Sequence, residues 1–327
     1  MMPLVKMRSL GRTGLAVSEI GFGGWGIGKG VWKGTDDEES KRALYTALDC
    51  GINYFDTAIG YGDGHSEKMI GCLARELGRD LIVSTKIPPK SRGGKIGAQR
   101  SLSQAYPPEW ISSCVDASLR NLGMECLPIE KFHTCDDSWL DDPLWPRVLE
   151  TLQGLKRAGK IRFIGASLKD GNSDAAVRLV ESGLVDEVQV LFNIFDPEAS
   201  ENIFPVCRER GVAVVARSPL HEGGLSGELT PQTRFGKGDF RRDYFGDIGL
   251  LETYRRAERI KKDLASLKAD NLAEAAIKFC LSFPDVSTVI PGMRKAEHVR
   301  RNAAVSGGDR YSRAELRLFA KHRWPRL

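Results

Sequence analysis

The sequence predicts an α/β fold, a (β/α)8 barrel, from three observations. Short apolar runs alternate with longer amphipathic ones along nearly the whole chain. Eight of the short runs have strand character, and polar residues capable of chemistry close several of them. Strict alternation of strand and helix argues for a parallel sheet. Eight such strands spread over about 270 residues suit closure into a barrel, for which about 250 residues is typical.

The elements follow in order. Met7 to Val17, with Gly11 and Gly14, reads as a small β-hairpin ahead of the barrel. The barrel strands are expected at Ile20–Gly24, Asn53–Asp56, Leu81–Lys86, Pro128–His133, Ile161–Ser167, Glu187–Phe192, Ala213–Arg217 and Ser287–Ile290. Thr35 followed by Asp36, Asp37 and Glu38 reads as a capping box, in which the Glu38 carboxylate reaches back to the Thr35 amide. Ala43, Leu44, Ala47 and Leu48 then share one face until Gly51 stops the helix. Pro108 opens another helix at a position where its missing N–H costs nothing, and Gly123 closes it. Leu144 to Ala158 ends at Gly159, and Ser200 to Arg210 ends at Gly211. After Arg217 comes a glycine-rich, charged loop of about 30 residues, long enough to suggest function. Extra helices are expected at Leu250–Ala269, Leu272–Phe283 and, at the carboxyl end, Ser312–Arg323. No repeat or linker divides residues 1–327, so a single barrel domain is expected.

Composition narrows the function. With 41% hydrophobic and 28% charged residues the chain is of ordinary globular type. No apolar run approaches the roughly 20 residues of a membrane span. The net charge of +5 comes from 48 basic and 43 acidic residues interleaved along helix faces, without the aromatic-basic pattern of a nucleic-acid binder. Seven cysteines, an odd number without a C-x-x-C pair, fit reduced thiols, and Met1 to Lys6 carry no signal core; a cytoplasmic location follows as an expectation. No metal site is expected.

Four polar residues carry the chemistry. Asp56 closes the second strand, Tyr61 lies five residues on in a glycine-rich loop, Lys86 closes the third strand and His133 the fourth. The carboxyl edge of a parallel sheet is where such folds do chemistry. Reducing a carbonyl with hydride creates an alkoxide that needs a proton. A phenol beside an ammonium is expected to have its pKa drawn toward neutrality, as a general acid requires. Lys86 would supply that charge, Asp56 would hold Lys86, and His133 would orient the carbonyl oxygen. Each residue alone has an ordinary structural explanation; their joint placement on consecutive strand ends favours function. A G-x-G-x-x-G match at Gly21 to Gly26 is not followed by a helix, since Ile27 to Thr35 lacks helical period, so a Rossmann reading fails on context.

The segment Gly51 to Gly71 resembles the aldo-keto reductase signature, G-x-N-x-F-D-T-A, then Y-G, then S-E-x-x-I-G. The resemblance extends from Leu10-Gly11-Arg12-Thr13-Gly14-Leu15 to Ile290-Pro291-Gly292. It implies an NADPH-dependent reductase of small aldehydes, ketones or sugars, a monomer or small homo-oligomer with a small carbonyl substrate. Asp56, Tyr61, Lys86 and His133 match the family's catalytic residues. Gly292, Arg294, His298 and Asn302 match the element that grips the adenosine end, with Arg294 placed for a 2′-phosphate; a guanidinium suits phosphate geometry and so favours NADPH. Ser218, Leu220, Gly223 and Gly224 match the loop around the pyrophosphate, while Ser167 and Gln189 correspond to residues that hold the nicotinamide carboxamide. Gly23, Gly24 and Trp25 are expected to line the mouth of the site. Three positions depart from the pattern: Leu168 replaces an Asn, Arg217 an aromatic ring and Lys131 a Gln. By alternation Lys131 points inward with His133, where its ammonium would either compete with Lys86 for Asp56 or pair with another acid. Three alternatives stay open: a nucleotide-binding regulatory subunit, as in ion-channel β subunits; a sugar dehydrogenase running oxidatively; and a barrel lyase using Lys86 as a Schiff base. Substrate choice would lie in the loops Ile87–Tyr106, Ser138–Trp145 and Leu225–Asp247.

Overall fold

In the computed structural model, which describes residues 4–78, 81–90, 101–264, 266 and 268–324, the chain first turns back on itself. β1 (Met7–Ser9) and β2 (Ala16–Ser18) form the expected antiparallel hairpin. Eight parallel strands follow: β3 (Phe22–Gly23), β4 (Tyr54–Asp56), β5 (Ile82–Ile87), β6 (Leu127–Cys135), β7 (Ile161–Leu168), β8 (Glu187–Leu191), β9 (Ala213–Arg217) and β10 (Val286–Ile290). They pair in sequence order. The sheet closes where Ile20 and Gly23 bridge Val289 and Gly292, with Gly21 N–H donating to the Val289 carbonyl at 2.8 Å. The (β/α)8 barrel expected from the sequence is the observed fold.

The outer layer is α1 (Asp37–Asp49), α2 (His65–Leu77), the short α3 (Leu102–Ala105), α4 (Pro108–Leu122), α5 (Trp145–Arg157), α6 (Val177–Glu181), α7 (Ile203–Arg210), α8 (Phe240–Asp263), α9 (Leu272–Leu281), α10 (Ala296–Ala303) and α11 (Arg313–Phe319). Two expectations need correction. The cap of α1 is Asp36, whose carboxylate accepts from Glu39 N–H at 2.9 Å; the Thr35 hydroxyl donates instead to the Gly26 carbonyl. And α8 starts ten residues before Leu250, its first turns set off by a kink at Gly246 (φ 57°, ψ −178°) that hides them from a periodicity argument. Of the loop Ile87–Tyr106, residues 91–100 lie outside the described residues, as do Met1–Pro3.

The hairpin plugs the amino-terminal end of the barrel. Leu10 and Val17 are fully buried against Tyr54, Ile129, Ala213 and Val215. Arg12 N–H donates to the Gly211 carbonyl at 2.7 Å, just below β9, and Ser18 N–H to Asn53 Oδ1 at 2.7 Å, just below β4. Helices cover the barrel wall with a continuous apolar layer, so the carboxyl ends of the strands are where a site can open. Among the described residues no helix is long and apolar enough to cross a membrane, and no cluster of His, Cys, Asp or Glu could hold a metal ion.

Candidate active site

A cleft of about 1640 Å³ opens over those carboxyl ends. Asp56, Tyr61, Lys86 and His133 all line it. Strand register explains the meeting: Asp56 lies beside Ser84 and Lys86 beside Lys131, so alternate residues of β4, β5 and β6 project into the same interior. Lys86 is fully buried and donates three hydrogen bonds, to Asp56 Oδ1 at 2.7 Å, to the Thr57 carbonyl at 2.7 Å and to the Tyr61 hydroxyl at 3.1 Å. Its ammonium therefore has no donor left. Because the Tyr61 oxygen accepts from Lys86, its own proton is directed elsewhere. The Tyr61 ring is fixed between Trp25, stacked at 6.0 Å between centroids, and His133, edge-on at 5.8 Å. The turn that delivers it is tight: Gly62 adopts φ +65°, and a Cβ there would lie 1.6 Å from the Gly28 carbonyl oxygen.

The electrostatics correct one expectation. Burial raises the Tyr61 hydroxyl above the ordinary phenol value and the Asp56 charge adds to this; Lys131 and Arg217 pull the other way without prevailing. The phenol is thus held away from neutrality rather than drawn toward it. Burial pulls Lys86 below the usual lysine value, against the opposing pull of Asp56. Burial alone would raise Asp56, yet Lys86 and Lys131 together hold it below the ordinary carboxylate range. Burial, reinforced by Lys86, pushes His133 down to about 3, so its imidazole is neutral. A neutral imidazole can donate one N–H to a carbonyl oxygen without adding charge.

Beneath this group lies an arrangement the sequence only hinted at. Lys131 Nζ donates to Asp56 Oδ2 at 3.1 Å and to Glu187 Oε1 at 2.8 Å. Lys131 thus does both things considered for it: it shares Asp56 with Lys86, and it has a second acid. That acid was not identified from sequence, although Glu187 stands two residues before Gln189 on the same strand and so on the same face. Gln189 Nε2 also donates to Asp56 Oδ2, at 3.1 Å.

Of the residues matched to a nucleotide, Gly23, Trp25, Ser167, Gln189, Arg217, Ser218, Leu220, Gly223, Gly292, Arg294, His298 and Asn302 line the cleft. Gly24 and Gly224 do not. Both are buried where a side chain would meet the Asp56 carbonyl at 2.6 Å or Thr253 Cγ2 at 2.7 Å, so their missing side chains allow close packing. Polar atoms lining the cleft that are buried with no hydrogen-bond partner include Trp32 Nε1, Gln189 Oε1 near the catalytic end and Asn302 Nδ2 on α10. Buried groups of this kind normally find a partner, so each is positioned to receive one from a ligand. Arg217 reaches across β8 to donate to the Leu168 carbonyl at 2.9 Å and pairs with Asp170. Arg294 donates to the Lys33 carbonyl at 3.1 Å and lies over the Trp32 ring at 5.3 Å. Burial, with Arg241 nearby, lowers its pKa. The loop carrying Trp32 is tied across the cleft to the start of α8, where Phe240 N–H donates to the Val31 carbonyl at 2.7 Å. Trp32, Arg241, Phe240, Asp170 and Glu222 were not singled out from sequence, because only the folded loops bring them to the cleft.

Comparison with known proteins places this geometry. The chain is similar to the NADH-specific methylglyoxal reductase of Escherichia coli, 31% identical over 314 residues that cover 92% of this chain and 93% of that one. Among solved structures it resembles an aldo-keto reductase from Bacillus halodurans in its holo form (TM-score 0.76, 26% identity, 98% of this chain and 96% of that one). It also resembles a glycerol dehydrogenase from Gluconobacter oxydans (TM-score 0.78, 26% identity, 97% and 94%). The model of the Aldo/keto reductase family matches residues 19–322, and the chain belongs to that family of oxidoreductases acting on carbonyl groups.

Proposed function

We propose that the chain, working as one barrel domain, reduces a small aldehyde, ketone or sugar with NADPH, and that Tyr61 is the general acid. The contact that carries this reading is the 3.1 Å hydrogen bond from Lys86 to the Tyr61 hydroxyl at the floor of the cleft. When bound, the reduced nicotinamide supplies the hydride. The chain's own residues do the rest. Gln189 Oε1, unpartnered and buried, would accept from a carboxamide N–H, and Asn302 Nδ2 would donate to the adenine at the far end. Arg294, just ahead of α10, and His298, on it, both line the cleft and would hold a 2′-phosphate. His133 lies edge-on beside the Tyr61 ring, and a carbonyl oxygen placed between the two would accept from both. As hydride arrives the oxygen becomes an alkoxide, a much stronger base than a phenolate, so the Tyr61 proton moves downhill even though burial has raised its pKa. Lys86 then stabilises the phenolate left behind. The same residues run in reverse would oxidise an alcohol, the direction named for the Gluconobacter relative.

Tyr61→Phe tests the assignment. Loss of a positioned general acid typically costs about 10²–10⁴-fold. Turnover of an aldehyde panel should fall by at least about 100-fold, while NADPH binding, followed by nicotinamide fluorescence, stays within about threefold. Turnover near that of the wild type would remove Tyr61 from the mechanism.

A further inference from the structure

The cluster beneath Asp56 has a role that its burial cost demands. Lys131 and Glu187 are completely buried, Lys86 and Asp56 nearly so, giving two cations and two anions inside the barrel. Ion pairs this deep are poor stabilisers compared with well-packed apolar residues. Their geometry is nonetheless complete. Glu187 accepts from Lys131 at 2.8 Å and Ser84 at 2.9 Å through one oxygen, and from Tyr54 at 2.8 Å through the other. Gly165 lies in register with both Lys131 and Glu187, and a Cβ there would come within 3.0 Å of Lys131 Cβ. Its missing side chain gives the lysine room.

The cluster is also directional. Asp56 is split, one oxygen to Lys86 and the other to Lys131. Glu187 sits two residues below Gln189 on β8, roughly 6–7 Å deeper in the barrel and away from the cleft. The negative end of the second pair therefore points down, and its positive end points toward the site. We propose that Lys131 is a positioning residue for proton donation: it engages one oxygen of Asp56, so that the charge of Lys86 acts on the Tyr61 oxygen, and Glu187 holds Lys131 in place from below. This rests on Tyr61 being the acid. It agrees with Lys131 being the strongest of the influences that favour Tyr61 ionisation.

The test is the rate of hydride transfer in a single turnover at about pH 7, followed by loss of reduced-nicotinamide absorbance. Lys131→Gln removes a positive charge. It should slow transfer by about tenfold and raise its solvent deuterium isotope effect, with substrate affinity changed less than about twofold. Glu187→Gln removes a negative charge and keeps Lys131 bonded to Asp56, and it should speed transfer. Lys131→Arg, which keeps the charge, should leave the rate within about twofold of the wild type. Structural damage does not produce opposite changes from the two substitutions. Rates that coincide with the wild type, or that change in the same direction in both variants, overturn the proposal. If the wild type reduces carbonyls and Tyr61→Phe does not, that failure belongs to Lys131 alone. If Tyr61→Phe turns over normally, the reading of Tyr61 falls and this one with it.

Discussion

Arg294 shows how a single side chain links scaffold and selectivity. Its stem packs against the Gly26 backbone, where a Cβ would meet Arg294 Cδ at 2.7 Å, and its head is tethered to the Lys33 carbonyl. The guanidinium is therefore held in place before any nucleotide arrives, and under the proposed function that would favour bidentate binding of a 2′-phosphate. Arg294→Ala should weaken NADPH by at least about tenfold more than NADH in a fluorescence titration. Equal losses would rule out a phosphate contact and bring the chain closer to its NADH-specific relative. Residues of this kind were legible in the sequence where chemistry alone marks them: an acid, a phenol, an ammonium and an imidazole at strand ends stand out in any α/β chain. Glu187 was less visible, because pairing it with Lys131 requires knowing that β6 and β8 flank β7 in a register that puts Lys131, Gly165 and Glu187 side by side. The acidity of Tyr61 was misjudged for a different reason. Proximity to Lys86 can be read from spacing, but the depth of burial that outweighs it cannot.

At the scale of elements, the loop between β4 and α2 carries the site. It is built from Tyr61, Gly62 and the left-handed Gly64 that precedes α2. An alanine at 62 would combine positive φ with an impossible contact to Gly28, so the loop must shift and Tyr61 with it. Gly62→Ala should lower turnover at least about tenfold, since small displacements of a reacting group are expensive. Gly34→Ala is the control: it has φ +72° but nothing within 4 Å, so it should lose about 1 kcal/mol of stability and keep full activity. Activity and melting temperature of the two variants decide the point. The strands were legible because each apolar run is short and several stop at a polar residue. Boundaries failed where a side chain found an unexpected partner, as Thr35 did in the Gly26 carbonyl, or where a glycine kink broke the helical period, as Gly246 does in α8.

For the whole molecule, the half-buried imidazole of His133 ties stability to acidity. Its folded pKa of about 3 lies below the unfolded value near 6.5. The unfolded chain therefore binds the extra proton first. The stability contributed by the neutral ring is full above about pH 6.5 and is lost as pH falls from there toward about 3. Glu130 acts in the opposite sense: burial and Glu67 push its carboxyl up, so its contribution declines as pH rises above the ordinary carboxylate range. The difference between the wild type and His133→Asn isolates the histidine. By about pH 5 the wild type should have lost about 1–2 kcal/mol more than the variant, solvent in the cleft trimming the full effect. Parallel melting curves for the two across that range would contradict it. The hairpin, finally, decides how the protein should be handled on a surface. It seals the barrel at the end opposite the cleft, through Arg12 and Ser18. Trp324, near the other end of the chain, stands at the cleft rim. An immobilised reactor bed should therefore tether the catalyst through a handle ahead of the hairpin, leaving the open mouth turned toward the flowing feedstock.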